Sequence, residues 1–562
     1  MEWLAENVRD KIDFVIWTGD SARHDNDDEL PRSREQVITL NKFLVQKMAE
    51  VFGKHNGDES DDDPNNDFII PIVSNIGNND ILPHNILAKG PNDWTRTYSQ
   101  VWRQFIPEVQ KHQFEQGGWY YVEVIPHKLA VFSLNTMYFF ASNTLVEGCA
   151  LHSEPGYQQM EWLRIQLQFM RERGMKAMLI GHVPPIRQDA KTSWDETCWQ
   201  KYALWTRQYR DVIVSTHWGH FNFEHFMFQD FKQIDQDTKD GYMSFFHTDP
   251  VIGGGDVESK LSKNYWMQLR DEWSELPHEP KRMGWLESLR SDRDFDAELA
   301  DYFEQIGGEY AERFSTSFVS SSVVPNLFPT LRIYEYNIDG LDEEEIYSRP
   351  IPPPASGSIS EMAKKERKHY FKVPEGPSPT APPGPAYSMQ TLSLLKYTQY
   401  YANLTIINND FVAADDDNVD AAKWHEGKHK GKKPHERDHT PNPKKFKFQV
   451  LYDTAKDPIY RLKDLTVPNM LDLARRIGNF KPEKYILESN CHGGDDDEEE
   501  EEIDIEGDVD GEKKKKKHKK NKHKKGKKEH KHRKRNEAWY AFVARAFVNT
   551  MDPIELEENF GH

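Results

Sequence analysis

The sequence predicts an α/β protein: a layered β-sheet core flanked by helices, with a C-terminal segment wrapped on the core and a charged tail that does not fold. Three observations predict it. Short apolar runs recur from Asp13 to about Ser215, each four to six residues long and bounded by Gly, Asp or Asn. Stretches of helical period lie between those runs. Beyond residue 340 the chain turns Pro-rich, then basic, and later carries two opposed charge blocks.

The apolar runs are Phe14–Thr18, Phe68–Val73, Leu129–Leu134, Ala177–Ile180 and Val212–Ser215. They are mostly β-branched or aromatic and read as strands buried on both faces. A further strand is predicted at Thr330–Tyr336. Arg34–Phe52 and Gln158–Glu172 read as helices, the second stopped by Gly174. Between them Asn56–Asn66 (NGDESDDDPNN) breaks the pattern and reads as a surface loop. Met1–Asp10 reads as an amphipathic helix running straight into the first strand. It lacks the basic, apolar and small-residue order of a secretory signal.

Residues 1–340 thus form the predicted catalytic core. Residues 341–490 form a Pro-rich and basic segment packed on it: Ser348–Pro385 as a wrapping linker, apolar Tyr397–Ile407, Lys/His-rich Lys423–Lys447 and a strand-like Phe446–Tyr452. Residues 491–536 contain the acidic block Asp495–Asp510 and the basic block Lys513–Arg535. So few apolar side chains cannot offset the entropy of ordering, and disorder is predicted. Ordinary sequence resumes in 537–562.

Composition excludes several classes. The 562 residues carry a formal charge of −20. Leaving out Asp495–Arg535, 57 basic residues face 79 acidic ones. Such a body is a poor general nucleic-acid binder, and a polyanionic substrate needs local cations or metals. Three cysteines are too few for a disulfide scaffold or a Cys-based zinc module. Cys149 and Cys198 could bridge in an oxidising compartment, which spacing alone leaves open. No run of 18 apolar residues is present to span a membrane.

Four strand ends carry the chemistry: Gly19-Asp20 with His24 following, Gly77-Asn78-Asn79-Asp80, Gly181-His182, and His217-Trp218-Gly219-His220-Phe221-Asn222. In open α/β sheets, sites form beyond the carboxyl ends of strands. Asp, Asn and His converging there make a mixed O/N site for a divalent ion such as Mn, Fe, Zn or Co. Singly, each signal reads as an ordinary turn or a hydrogen-bonded histidine. All four together, each after an apolar run, point to a metal centre.

In this pattern the chain resembles the calcineurin-like metallophosphoesterases, whose motifs are D-x-H, GD, GNH[DE], GH and GHxH. Within them it is similar to the fungal vacuolar endopolyphosphatases. The strings DFVIWTGDSARHDND, GNNDILPHN, EWLRIQLQFMRERGMKAMLIGHVPP, WDETCWQKY, GPAYSMQTL and WHEGKHKGKKPH carry that likeness over most of the chain. The GD-xxx-HD string and the ANLT segment also look like acid sphingomyelinases, an offshoot of the same superfamily.

The resemblance implies a metallophosphoesterase-type fold and metal-dependent cleavage of internal bonds in inorganic polyphosphate. Two divalent cations, drawn from Mn, Co, Zn, Mg or Fe, are implied. Asp20 would bridge them, Asn78, His182 and His220 would hold the second, and Asn222 would ligate through its amide oxygen. The family also implies a vacuolar, lumenal location and maturation by a processing protease. His24 is either the general acid, at the spacing the sphingomyelinase-like string gives a leaving-group histidine, or a residue that orients Asp20. Lys428, Lys430, Lys432 and Lys433 belong to a strip that either docks phosphate oxygens or is a solvated loop. Asn403 heads the single N-x-[ST] triplet and is the candidate glycosylation site.

Three departures from the family pattern stand out. Asn79 replaces the general-acid histidine, Asn222 replaces the last histidine of GHxH, and D-x-H is missing. Its strand would precede Glu2, so we expect that Met1 is not the natural start and that upstream residues supply both D-x-H and a type II membrane anchor. The competing readings are a sphingomyelinase-like phosphodiesterase, against which three cysteines argue, and a non-catalytic polyanion binder.

Overall fold

A computed structural model describes the chain outside residues 25–29, 55–67, 189–190, 233, 235–241, 245–257, 281–291, 324–326, 342–369, 379–380, 382, 409–440, 479–535 and 562. The Asn56–Asn66 loop, the lysine strip and the two charge blocks lie outside the described residues.

Two strands open the fold, β1 (Val15–Trp17) and β2 (Ile72–Ser74), paired parallel with Val15 opposite Ile72. The helix Arg34–Phe52 joins them, capped by Ser33, whose hydroxyl accepts from Gln36 N. Next come β3 (Tyr120–Ile125), β4 (Leu129–Leu134) and β5 (Lys176–Gly181). A short hairpin, β6 (Arg187–Gln188) and β7 (Lys191–Thr192), precedes β8 (Ile213–Trp218) and β9 (His225–Asp230). Then follow β10 (Tyr242–Ser244) and β11 (Phe314–Val319).

The central sheet has six strands in the order β3-β4-β5-β8-β11-β9. β4, β5, β8 and β11 run parallel, and β3 and β9 close the edges antiparallel. All six residues of β4 are buried, as a strand covered on both faces requires. The helix Pro155–Glu172 covers the sheet with Gln159, Met160, Leu163, Leu167 and Met170, a stripe at three- to four-residue spacing. Gly174, at φ +67°, turns the chain after it.

Two sequence expectations are corrected. β1 is half-buried along its length, not covered on both faces, because its ladder in this sheet is with β2 alone. The second strand begins at Ile72 and not at Phe68: Pro71 brings no N–H to a ladder, and Phe68 makes only an isolated bridge with Gly53. Conversely β8 runs on through His217 and Trp218, which pair with Ile180 and Gly181 of β5 and with Phe318 and Val319 of β11.

The C-terminal half packs on this core. β12 (Thr330–Tyr336), β14 (Leu394–Tyr401) and β15 (Gln449–Asp453) form an antiparallel sheet, while β13 (Tyr370–Lys372) pairs with β10. Pro374 and Glu375 carbonyls accept from Gln208 and Arg171 at 3.0 and 2.9 Å. The helices Val467–Gly478 and Glu537–Ala546 meet where Asn536 donates to the carbonyls of Arg476 and Ile477. One hydrophobic core runs from Ala22 to Phe560. Among the described residues no helix is long and apolar enough to cross a membrane.

Cys149 and Cys198 are disulfide-bonded. The bridge closes a span of 49 residues. Replacing both with serine should cost roughly 2–4 kcal/mol by releasing the unfolded chain. Urea unfolding of the oxidised protein against the double variant measures it.

His217 is buried, and its Nε2 lies 2.9 Å from Ser215 Oγ. Burial, and then the Arg332 charge, push its imidazole down to about 3. The unfolded imidazole titrates near 6.5, so between about 6.5 and 3 the unfolded state holds more protons and stability falls as pH falls. His217→Gln should lose less stability than the wild type across that window. Parallel plots of unfolding free energy against pH would contradict it.

Candidate metal centre

The carboxyl ends of β1, β2, β5 and β8 deliver Asp20, Asn78, His182 and His220 to one place. Gly19 and Gly77 make that approach possible. A Cβ on Gly19, itself at φ +90°, would lie 2.7 Å from Gly77 N, and one on Gly77 would lie 2.2 Å from Asp20 Oδ1. Any larger residue would push the two loops apart.

His182 is 1 % exposed, and its Nδ1 lies 2.7 Å from the Thr18 carbonyl oxygen, a contact that places the proton on Nδ1. Nε2 then presents a lone pair. It faces two further acceptors, Asn78 Oδ1 at 2.7 Å and Asp20 Oδ2 at 3.2 Å. His220 Nδ1 lies 2.9 Å from the same Asn78 oxygen. The amide of Asn78 is turned this way because its nitrogen donates to His84 Nε2 at 2.7 Å and Asn85 Oδ1 at 2.9 Å. Lone pairs converging in a buried cluster repel unless a cation or a proton sits among them. The ligand atoms of Asp20, His182 and His220 lie within 4.8 Å of one another, so the residues fit a divalent ion.

The Asp20 carboxylate is fixed from its other side. Asn79 donates to both its oxygens, through its backbone N to Oδ1 and through Nδ2 to Oδ2, each at 2.8 Å. Burial alone would raise the Asp20 carboxyl. The charge and hydrogen bond of His182, with those of His24, outweigh it and hold Asp20 well below the ordinary range. Burial opposes protonation of His182, but Asp20 beside it wins and raises the imidazole.

His24 Nε2 lies 3.5 Å from Asp20 Oδ2 and 3.5 Å from the Asn222 amide nitrogen. The structure therefore sets His24 and Asn222 together on the Asp20 side of the cluster. Asp20, His220 and Asn222 all adopt left-handed backbone, at φ +58°, +65° and +59°. Non-glycine residues held there cost stability, and such positions cluster at functional sites. Asn403 caps the short helix Leu404–Ile407, its side chain accepting from Ile406 N at 3.4 Å.

Three supporting residues escaped the sequence reading. Asp80 is fully buried and accepts from the backbone N of Asp20 at 2.7 Å, Gly77 at 3.0 Å, Ser21 at 2.9 Å and Ala22 at 3.2 Å, and from Asn41 Nδ2 at 3.0 Å. Burial, then the Asp20 charge, push its carboxyl up, against those hydrogen bonds. His84 and Asn85 set the Asn78 amide. The only sequence signal for them was their place in the string GNNDILPHN.

His84→Ala should free the Asn78 amide to rotate and weaken divalent-ion affinity about 10- to 100-fold, the usual cost of losing a group that orients a ligand. Calorimetric titration with Mn²⁺ reads this. An unchanged affinity would mean that Asn85 alone orients Asn78.

No protein-family profile matches the chain. Individual proteins do. It is 43% identical over 537 residues to an endopolyphosphatase of Neurospora crassa, covering 86% of this chain and 70% of that one. It is 31% identical over 555 residues to the endopolyphosphatase of Saccharomyces cerevisiae, covering 86% and 76%. With that of Schizosaccharomyces pombe it shares 32% over 505 residues, covering 86% and 73%. Identity of this extent, over most of the chain and of its relatives, places the chain in the endopolyphosphatase family.

Proposed function

We propose that the chain is a metal-dependent endopolyphosphatase that hydrolyses internal phosphoanhydride bonds of inorganic polyphosphate. The observation that carries this reading is the convergence of Asp20, Asn78, His182 and His220 in a protein of that family. Water attacks one phosphorus in line with the bridging oxygen, the P–O bond breaks, and two shorter chains leave. A divalent cation in this cluster would lower the pKa of the attacking water and neutralise phosphate oxygens. Asp20, Asn78, His182 and His220 would hold it. The same cation would account for a polyanion approaching a chain of charge −20.

His24 is the candidate proton donor. Its ring stands beside Asp20 with a side chain 12% exposed, close to the cluster and reachable from outside it. A departing phosphate has a pKa of about 6 and needs little protonation, whereas an alkoxide needs the proton. His24→Ala should therefore slow alkyl phosphodiesters by about 10²–10⁴-fold. Activated aryl esters should slow least and polyphosphate should fall between. Equal slowing of every substrate would make His24 a residue that orients Asp20.

A vacuolar, lumenal location fits the reading. The Cys149–Cys198 bridge suits an oxidising compartment, and Asn403 would there be open to glycosylation.

Gel analysis of long-chain polyphosphate tests the activity. The wild type with Mn²⁺, Co²⁺, Zn²⁺ or Mg²⁺ should yield intermediate lengths early, and chelation should stop it. Asp20→Ala should lose activity while keeping its fold. A fully active, folded Asp20→Ala protein would overturn the assignment.

A further inference from the structure

We infer that the C-terminal end of the helix Glu537–Ala546 and the residue after it position the metal loop, through Arg545 and Phe547. This inference rests on the reading of His220 as a metal ligand.

The loop 219–224 is the segment whose placement sets His220. It carries His220 and Asn222 at left-handed φ. Its backbone bonds include Phe221 N to Gly219 O at 2.7 Å and Gly219 N to His182 O at 3.0 Å. A backbone held in such conformations persists only when its surroundings over-determine it. Part of those surroundings comes from the far end of the sequence.

Phe223, next to Asn222, packs its ring on Phe547 with centroids 4.8 Å apart. Phe221 packs on Tyr265 at 4.8 Å and on Trp266 at 6.3 Å. Trp266 in turn packs on Phe542 at 5.6 Å and Phe547 at 6.5 Å. Glu224, at the loop's other end, is buried, lies 2.9 Å from Arg332 Nη2 and accepts from the Tyr452 hydroxyl. Arg545 sits between the rings of Tyr452 and Tyr460, its guanidinium carbon 4.1 Å from each, and pairs with buried Asp457. One contact path therefore runs from Arg545 through Tyr452 to Glu224, and a second runs from Phe547 to Phe223. They end on Glu224 and Phe223, four and three positions past His220 and just beyond Asn222.

This is more than helix packing on a core. Trp539, on the same helix, serves that end: it stacks on Phe542 and meets Phe560 edge-on. Arg545 and Phe547 instead reach the segment on which the ligands sit. A planar guanidinium between two rings is a shape that lysine does not reproduce.

The test compares Phe547→Ala, Phe547→Leu, Arg545→Lys and Arg545→Met with a control, Leu556→Ala. Leu556 is buried in the last helix and lies outside both contact paths. Three readouts are taken on metal-free protein: Co²⁺ binding by its visible absorption, amide hydrogen exchange of the 219–225 peptide, and thermal melting. Activity is then measured at saturating Co²⁺.

Phe547→Ala and both Arg545 variants should bind Co²⁺ about 10- to 100-fold more weakly. They should exchange the loop amides faster and regain part of their kcat at saturating metal. Phe547→Leu, which keeps an apolar contact, should fall between and covers the case in which alanine does not fold. Leu556→Ala should lower the melting temperature while leaving Co²⁺ affinity and loop exchange unchanged. Wild-type affinity and exchange in the folded Phe547 and Arg545 variants would overturn the inference. So would equal weakening by Leu556→Ala. If the wild type itself binds no Co²⁺, the metal centre falls and the positioning role with it. Wild-type binding with unaffected variants sinks only the positioning role.

Discussion

The site depends first on one buried carboxylate. Asp80 takes hydrogen bonds from four backbone N–H groups, three of them on the loop after β1 and one on its own loop after β2, and a fifth from Asn41 on the intervening helix. Backbone N–H groups at strand ends need partners when they leave the ladder, and a buried carboxylate needs donors. Each need answers the other. The result ties the turn that carries Asp20 to the turn that carries Asn78, with no freedom for either to drift. Tyr98 adds a bond from its hydroxyl to the Asp80 carbonyl, so the clamp is itself anchored in the helix Asp93–Val101.

From this clamp the geometry propagates. With Asp20 fixed, its carboxylate faces His182, and the Thr18 carbonyl one strand-end away sets the tautomer of that ring. With Asn78 fixed, His84 and Asn85 decide which end of its amide looks inward. None of these steps needs a flexible side chain to find its place by chance. Asp20, Asn78 and His182 are thus each oriented by a neighbouring group: Asn79, the His84–Asn85 pair and the Thr18 carbonyl.

Much of this was legible in the sequence, for identifiable reasons. Leu129–Leu134, Thr330–Tyr336 and Arg34–Phe52 match their elements because burial on both faces, alternation and a 3.6 period leave direct marks. β11 left none. Its sequence FSTSFV looks polar, yet Ser317 is buried because its hydroxyl bonds to Thr216 Oγ1 and Gln229 Oε1 across the neighbouring strands. Polar residues satisfied sideways in a sheet cannot be told from loop residues by pattern. The candidate ligands Asp20, Asn78, His182 and His220 were legible because each follows an apolar run and a glycine closely. His84 and Asp80 stood in plain view in the same string, but their roles depend on how the loop folds back, which spacing does not encode. Arg545 lies 325 positions from His220 with two charge blocks between, and no local signal links them.

Asn79 stands where the calcineurin-like motif GNH[DE] has histidine, which would change the division of labour on the proposed reading. An imidazole at this position offers a transferable proton. The amide and backbone of Asn79 instead occupy both oxygens of Asp20 with N–H donors. That contact fixes the plane of the carboxylate without adding charge, so the full negative charge of Asp20 remains for a cation. It also removes any proton relay from this side of the cluster, because an amide does not titrate. Proton transfer to a leaving group then falls to His24 across the carboxylate, or to none. A phosphate leaving group tolerates either, since its own acidity does most of what a general acid would do. On the proposed reading, the substitution is compatible with phosphoanhydride cleavage and would be unfavourable for alkyl phosphodiesters.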